Sequence, residues 1–159
     1  MSVPFKIPKM LKAEYDQLIR RNVISRIAFS GAEHPYIAPF LYVFDEKHLY
    51  FLSTRYGKKM KLFAENPLVS VEIEEVAPDM SNYKFVTLLG KLVEVTDAKR
   101  KLEVKTHFVQ LITEKKISEN SLQALGHSPA DPPNNIVVED RMMVWQLVDV
   151  KEIVALKNA

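Results

Sequence analysis

The chain has 159 residues, 47% hydrophobic and 26% charged, which suits a single globular domain and excludes an intrinsically disordered chain. Its 22 Lys and Arg against 20 Asp and Glu leave a net charge of +2, too even a balance for a dedicated nucleic-acid binder. The chain has no cysteine, which excludes disulfides, thiolate metal sites and cysteine nucleophiles.

Residues 1–10 contain Pro4, Lys6, Pro8 and Lys9 and no long apolar run, so no signal peptide is expected. No stretch approaches the ~20 apolar residues of a membrane helix. These features predict a soluble cytoplasmic protein with one domain over 1–159 and neither a membrane nor a nucleic-acid partner. Residues 9–22 have helical spacing, with Leu11, Tyr15, Leu18 and Ile19 on one face. Strand patterns follow at Ile24–Ser30, after a Gly31–Pro35 turn at Tyr36–Phe44, and after Asp45-Glu46-Lys47 at His48–Ser53. Gly57–Glu65 reads as a short helix stopped by Asn66-Pro67. Leu68–Val76 alternates as a half-buried strand, and Tyr83–Val95 is a long strand whose Gly90 marks a bulge or sharp bend. Asp97 caps a helix to about Ile112, with Leu102, Phe108, Val109 and Ile112 as its apolar residues. Residues 113–140 form a polar insertion holding Gly126, Pro129, Pro132 and Pro133, with a helical turn or two around Ser118–Leu125. Met142–Val148 and Ile153–Leu156 complete the set as two further strands. Six or seven strands joined mainly by short turns predict a mostly β (α+β) fold, a closed antiparallel barrel with peripheral helices.

Two segments carry chemistry. In Ser53-Thr54-Arg55-Tyr56-Gly57-Lys58-Lys59, two hydroxyls end a strand and two lysines open a helix. The hydroxyls, the ammonium charges and the free N–H groups of the first helical turn together make a phosphate cradle, with Arg55 as an additional cation. The bland alternative is a solvated turn. In Pro35–Tyr42, Pro39 interrupts a clean strand pattern and cannot donate to a ladder. It marks a sheet edge, or a place where a flat ligand meets the backbone.

Pro35-Tyr36-Ile37-Ala38-Pro39-Phe40, Leu49–Thr54, Gly57-Lys58-Lys59 and Glu65–Ser70 occur in the order and spacing of the FMN-binding split barrels related to pyridoxamine 5′-phosphate oxidase. Phe85–Leu92, with its Gly90-Lys91, resembles that family's long strand, and the similarity spans roughly 10–112 and, more weakly, 142–156. The resemblance implies a six-to-seven-stranded antiparallel split β-barrel that binds FMN. It implies that Ser53, Lys58 and Lys59 hold the FMN phosphate, that Thr54 lies beside the flavin or its ribityl chain, and that the backbone of Ala38, Pro39, Phe40 and Leu41 runs along the isoalloxazine ring. It further implies a homodimer with the flavin at the subunit interface, acting as an oxidoreductase on a small-molecule substrate; Trp145 is set aside as packing. The substrate clamp of the oxidases proper has no counterpart in Lys105–Gln110 or Trp145–Val148, so vitamin B6 oxidation is not expected and the nitroimidazole-reductase-like members are nearer. Alternatives are a deazaflavin- or haem-binding relative, a flavin-binding module without turnover, and a barrel for single-stranded nucleic acid. No catalytic side chain is assigned.

His34, His48, His107 and His127 show no zinc-ligand spacing, though His34 and His107 could ligate haem if the fold joined them. Glu72 and Glu74 share a strand face and read as a solvated stripe. The 113–140 insertion is read either as a lid over the flavin or as an excursion packed on the barrel surface.

Overall fold

The computed structural model describes residues 2–31 and 33–159; Met1, and Ala32 of the expected Gly31–Pro35 turn, lie outside them. Residues 8–10 run extended beside the end of the chain, with Met10 N–H donating to Ala155 O and Lys157 N–H to Pro8 O. That pairing delays the first helix, α1 (Lys12–Arg21), which starts three residues later than its periodicity suggests. Leu11 becomes its exposed N-cap, with its N–H bonded to Glu14 Oε1, while Leu18 and Ile19 are buried.

Then follow β1 (Ile24–Phe29), β2 (Tyr36–Phe44), β3 (Leu49–Thr54), α2 (Lys58–Glu65), β4 (Leu68–Val76), β5 (Tyr83–Glu94), α3 (Ala98–Glu114), α4 (Ser121–Ala124), α5 (Asn135–Val138) and β6 (Met142–Lys157). The strands close an antiparallel barrel in the order β1-β2-β3-β6-β5-β4. The fold is the mostly β barrel with peripheral helices that the pattern predicts, with six strands among the described residues.

The two terminal strands expected at 142–148 and 153–156 are one strand, β6. Asp149, Lys151 and Glu152 read as a turn because they are polar and exposed, but the long β5 carries the pairing past them. A register shift between Leu89 and Lys91 absorbs the irregularity, and Asp149 takes φ 50° opposite it. Gly90 therefore sits at the bulge its position suggested. A Cβ there would come within 2.8 Å of Val148 O.

Two cores result. Inside the barrel, Ile27, Phe29, Phe51, Val71, Ile73, Val86, Leu92 and Trp145 are fully buried. Trp145 is packing, its ring 4.8 Å from Phe63, 5.8 Å from Phe40 and 6.1 Å from Phe29. The second core lies between the outer faces of β2, β3 and β6 and the helices: Leu41, Val43, Tyr50, Leu52 and Val144 meet Val104, Phe108 and Ile112 of α3 and Leu122, Leu125 and Ile136 beyond it. Covering both faces explains why β3 is a continuous apolar run instead of an alternating one. The buried face of α3 carries Val104, Lys105, Phe108 and Ile112, so Leu102, assigned to it by sequence, is exposed. The 113–140 segment packs on the outside of the barrel, where its Leu122 and Leu125 find their cover.

Candidate functional site

β2 and β3 pair only through Tyr42↔Phe51, Val43↔Tyr50 and Phe44↔Leu49. Extending that register would set Leu41 against Leu52, Phe40 against Ser53 and Pro39 against Thr54, but none of these pairs forms. Each strand instead keeps its other neighbour, β2 pairing with β1 over Tyr36–Leu41 and β3 with β6 through Thr54↔Met142. The barrel wall thus opens as a fork. Tyr42 N–H donates to Val23 O, so the even residues of β2 direct their backbone groups toward β1 and the odd ones, Ile37 and Pro39, toward the fork. Pro39 lacks its N–H on the edge where the ladder opens. This is a local cause for the split.

One wall of the fork is the segment Ala38, Pro39, Phe40 and Leu41; the other ends in Ser53 and Thr54. Ala38 and Phe40 turn their side chains into the barrel, Leu41 turns its own into the second core, and Pro39 is exposed. Both hydroxyls shape the turn after β3, the buried Ser53 Oγ donating to Thr54 O at 3.0 Å and Thr54 Oγ1 to Tyr56 O at 3.0 Å. Gly57 follows at φ 99° and ψ 179°, a backbone region open essentially to glycine alone, and is the N-cap of α2. Leu62, Met60 and Phe63 anchor α2 on the barrel core, fixing where its first turn points.

Lys58 Nζ lies 4.9 Å from the centre of the Tyr36 ring, and Lys59 Nζ 4.9 Å from that of Phe40. Both lysines of α2 therefore sit over the start of β2. Among the described residues neither pairs with a carboxylate, the first turn of α2 holds no acidic residue, and no side chain caps it. Lys59 is half-buried, and loss of solvent holds its ammonium pKa below the ordinary lysine value. A desolvated cation with no counter-ion, beside an uncapped helix N-terminus, is a standing invitation to an anion. Ser53 and Thr54 thus end one wall of the fork, the Ala38–Leu41 backbone forms the other, and Lys58 and Lys59 reach β2 at the Tyr36 and Phe40 rings, while Ser53 itself is fully buried with its Oγ donating to Thr54 O. Arg55, expected to add to this cradle, instead bonds Asp140 Oδ1 at 3.2 Å and Met142 O at 3.5 Å. Tyr36, whose ring underlies Lys58, was legible only as a strand aromatic.

The other candidates separate. His34 precedes β2, and His107 lines a small polar pocket with Asp45, Tyr50, Arg100 and Glu103, just past its other end. Nine strand residues, roughly 30 Å, lie between them, so they make no haem-ligand pair. Among the described residues no cluster of His, Asp and Glu suits a metal ion. Glu72 and Glu74 share a face but flank Arg26 as ion pairs, and burial raises the pKa of Glu72; they are not the free solvated stripe expected. Phe40, Tyr42 and Phe51 are buried, so they form no open stacking platform for bases. No helix is long and apolar enough to cross a membrane among the described residues.

The chain covers 98% of itself and 100% of an FAD-binding protein from Mesorhizobium loti, with 20% identity and a TM-score of 0.68. A candidate 5-nitroimidazole antibiotic resistance protein from Bacteroides thetaiotaomicron matches at 16% identity and a TM-score of 0.64, over 97% of this chain and 91% of that one. The haem storage protein of Vibrio cholerae matches at 14% identity and 0.65, over 92% and 94%. At these identities the likeness concerns the fold. No curated protein matches the sequence. The family model described as pyridoxamine 5′-phosphate oxidase matches residues 12–140, and on that match the chain belongs to the pyridoxamine 5′-phosphate oxidase family.

Proposed function

We propose that the chain binds FMN in the fork between β2 and β3 and works as a flavin-dependent oxidoreductase on a small molecule. The observation that carries this reading is the pair Lys58 and Lys59, one of them desolvated, both without carboxylate partners, at the uncapped start of α2. A phosphate dianion is the ligand group that such a site compensates best. The unpaired β2 edge suits the flat remainder of the ligand, because ring nitrogens and carbonyls need backbone partners and Ile37 and Pro39 turn theirs outward. Bound flavin supplies the redox chemistry, so no protein acid or base is obligatory. The protein's part is to hold the phosphate through Lys58 and Lys59, orient the ring along Ala38–Leu41, and limit access to it. Support also comes from the Mesorhizobium loti FAD-binding protein and from a Mycobacterium smegmatis FAD-binding protein of the same fold. The Vibrio cholerae haem storage protein keeps haem as the second reading.

Titration of the ligand-free protein with FMN, riboflavin and haemin tests the choice. The reading predicts tight FMN binding and much weaker riboflavin binding, because only FMN carries the phosphate. Equal affinity for the two flavins, or binding of haemin alone with a Soret band, contradicts it.

A further inference from the structure

Beside the fork, three cations from two separate segments converge on a single carboxylate oxygen. Arg55 Nη2 lies 3.2 Å from Asp140 Oδ1, Lys105 Nζ 3.3 Å and Lys101 Nζ 3.5 Å. Lys101 and Lys105 stand one turn apart on α3, and Arg55 directly follows Thr54. Lys105 is the unusual member. Its side chain is only 7% exposed, and among the described residues its ammonium meets nothing but this carboxylate and Glu139 O at 3.4 Å. The Asp140 side chain is 65% exposed, on the short link between α5 and β6. Three positive charges against one negative leave the cluster with two uncompensated charges, as many as the net charge of the entire chain. A buried ammonium has three N–H groups to satisfy, and one backbone carbonyl with one carboxylate oxygen shared among three cations is a sparse set.

The cluster is also next to the candidate site. Arg55 bonds Met142 O, Met142 pairs with Thr54, and a Cβ on Gly126 would lie 3.7 Å from Thr54 Cγ2. The 113–140 segment therefore delivers Asp140 to a cationic recess at the rim of the fork.

We infer that Arg55, Lys101 and Lys105 form a second oxyanion site, specific for a phosphate group, that Asp140 occupies as an internal stand-in until a phosphorylated ligand displaces it. The three nitrogens already surround one point in space, as they would surround an oxygen of a bound phosphate. Asp140 is the most exposed member and therefore the displaceable one, while Lys101 and Lys105 are held on α3 with side chains 22% and 7% exposed and Arg55 sits in the bend after β3. The ligand's oxyanion is either the additional phosphate of a flavin dinucleotide or that of a separate phosphorylated compound.

The test uses inorganic phosphate and pyrophosphate, titrated calorimetrically into the full chain carrying Lys58→Ala and Lys59→Ala, so that the cradle of α2 does not contribute. Adding Asp140→Asn is expected to tighten phosphate binding at least ten-fold, and adding Lys101→Met to that variant to cancel the gain. Loss of thermal stability in Asp140→Asn with no gain in phosphate affinity makes Asp140 a structural clasp and overturns the proposal. Should Asp140→Asn fail to fold, Lys101→Met in the Lys58→Ala/Lys59→Ala chain supplies the readout, since it must weaken the phosphate binding that remains there; no weakening overturns the proposal. FAD and FMN titrations of Asp140→Asn with the native lysines locate the source. Tighter FAD with unchanged FMN assigns the oxyanion to a dinucleotide, and tighter phosphate on FMN-saturated protein assigns it to a second ligand. Failure of the flavin reading is seen separately, as absence of FMN binding to the native chain.

Discussion

His127 is 4% exposed, with neither ring nitrogen hydrogen-bonded among the described residues, and its Nδ1 stands 3.9 Å from Asp131 and 4.0 Å from Glu139. Burial, first, and the charges of Arg141 and Lys105 hold its pKa below the ordinary value of 6.5, against the opposing pull of Glu139 and Asp131. The undocked or unfolded chain therefore takes up the proton first, and stability falls as pH drops through 6.5 toward the lowered folded value. Denaturant midpoints measured between pH 7.5 and 5 are expected to decline in the native chain and to flatten in His127→Leu. An unchanged slope in the variant would show that His127 is not responsible.

Elements came through wherever their periodicity was local. The bounds of β2 and β4 match the sequence reading, and the Asp97 cap of α3 accepts Arg100 N–H as expected. The bulge at Gly90 was foreseen, but not the joining of the last two strands, because the continuity of β6 is imposed by β5 across the sheet. The fork was half legible: Pro39 announced an interrupted edge, but only the register of β2 against β3 shows how far it opens. Gly90→Ala is expected to cost about 1–3 kcal/mol, because its Cβ would meet the Val148 carbonyl at 2.8 Å and Leu147 Cδ1 at 3.1 Å. Urea unfolding measures this; a loss below about 0.5 kcal/mol would mean that β5 and β6 can part at the bulge without penalty.

Over the whole molecule, one outer face of the barrel is covered by α3, α4 and α5, while α1 packs against β4 and β5 and α2 against β1, leaving an open patch among the described residues. Across that patch, Ile37 is 62% exposed and Leu68 58%, and Ala28, Leu68, Ser70 and Leu89 line a groove of about 650 Å³. Exposed apolar residues around an apolar groove, on a small barrel, fit a two-fold interface with a second copy. The native chain is expected to sediment at twice its monomer mass at low micromolar concentration, and Leu68→Glu to dissociate it while keeping its fold by circular dichroism. A native monomer that holds FMN tightly would contradict the shared-interface arrangement. The central claim, that Lys58 and Lys59 hold the phosphate of a flavin in the fork, is tested most directly by titrating Lys58→Ala/Lys59→Ala with FMN and riboflavin. Charge-assisted hydrogen bonds contribute roughly 1.5–3 kcal/mol each, so FMN affinity should fall at least ~100-fold while riboflavin affinity changes little. Equal losses for the two ligands, or no loss for either, would contradict the account.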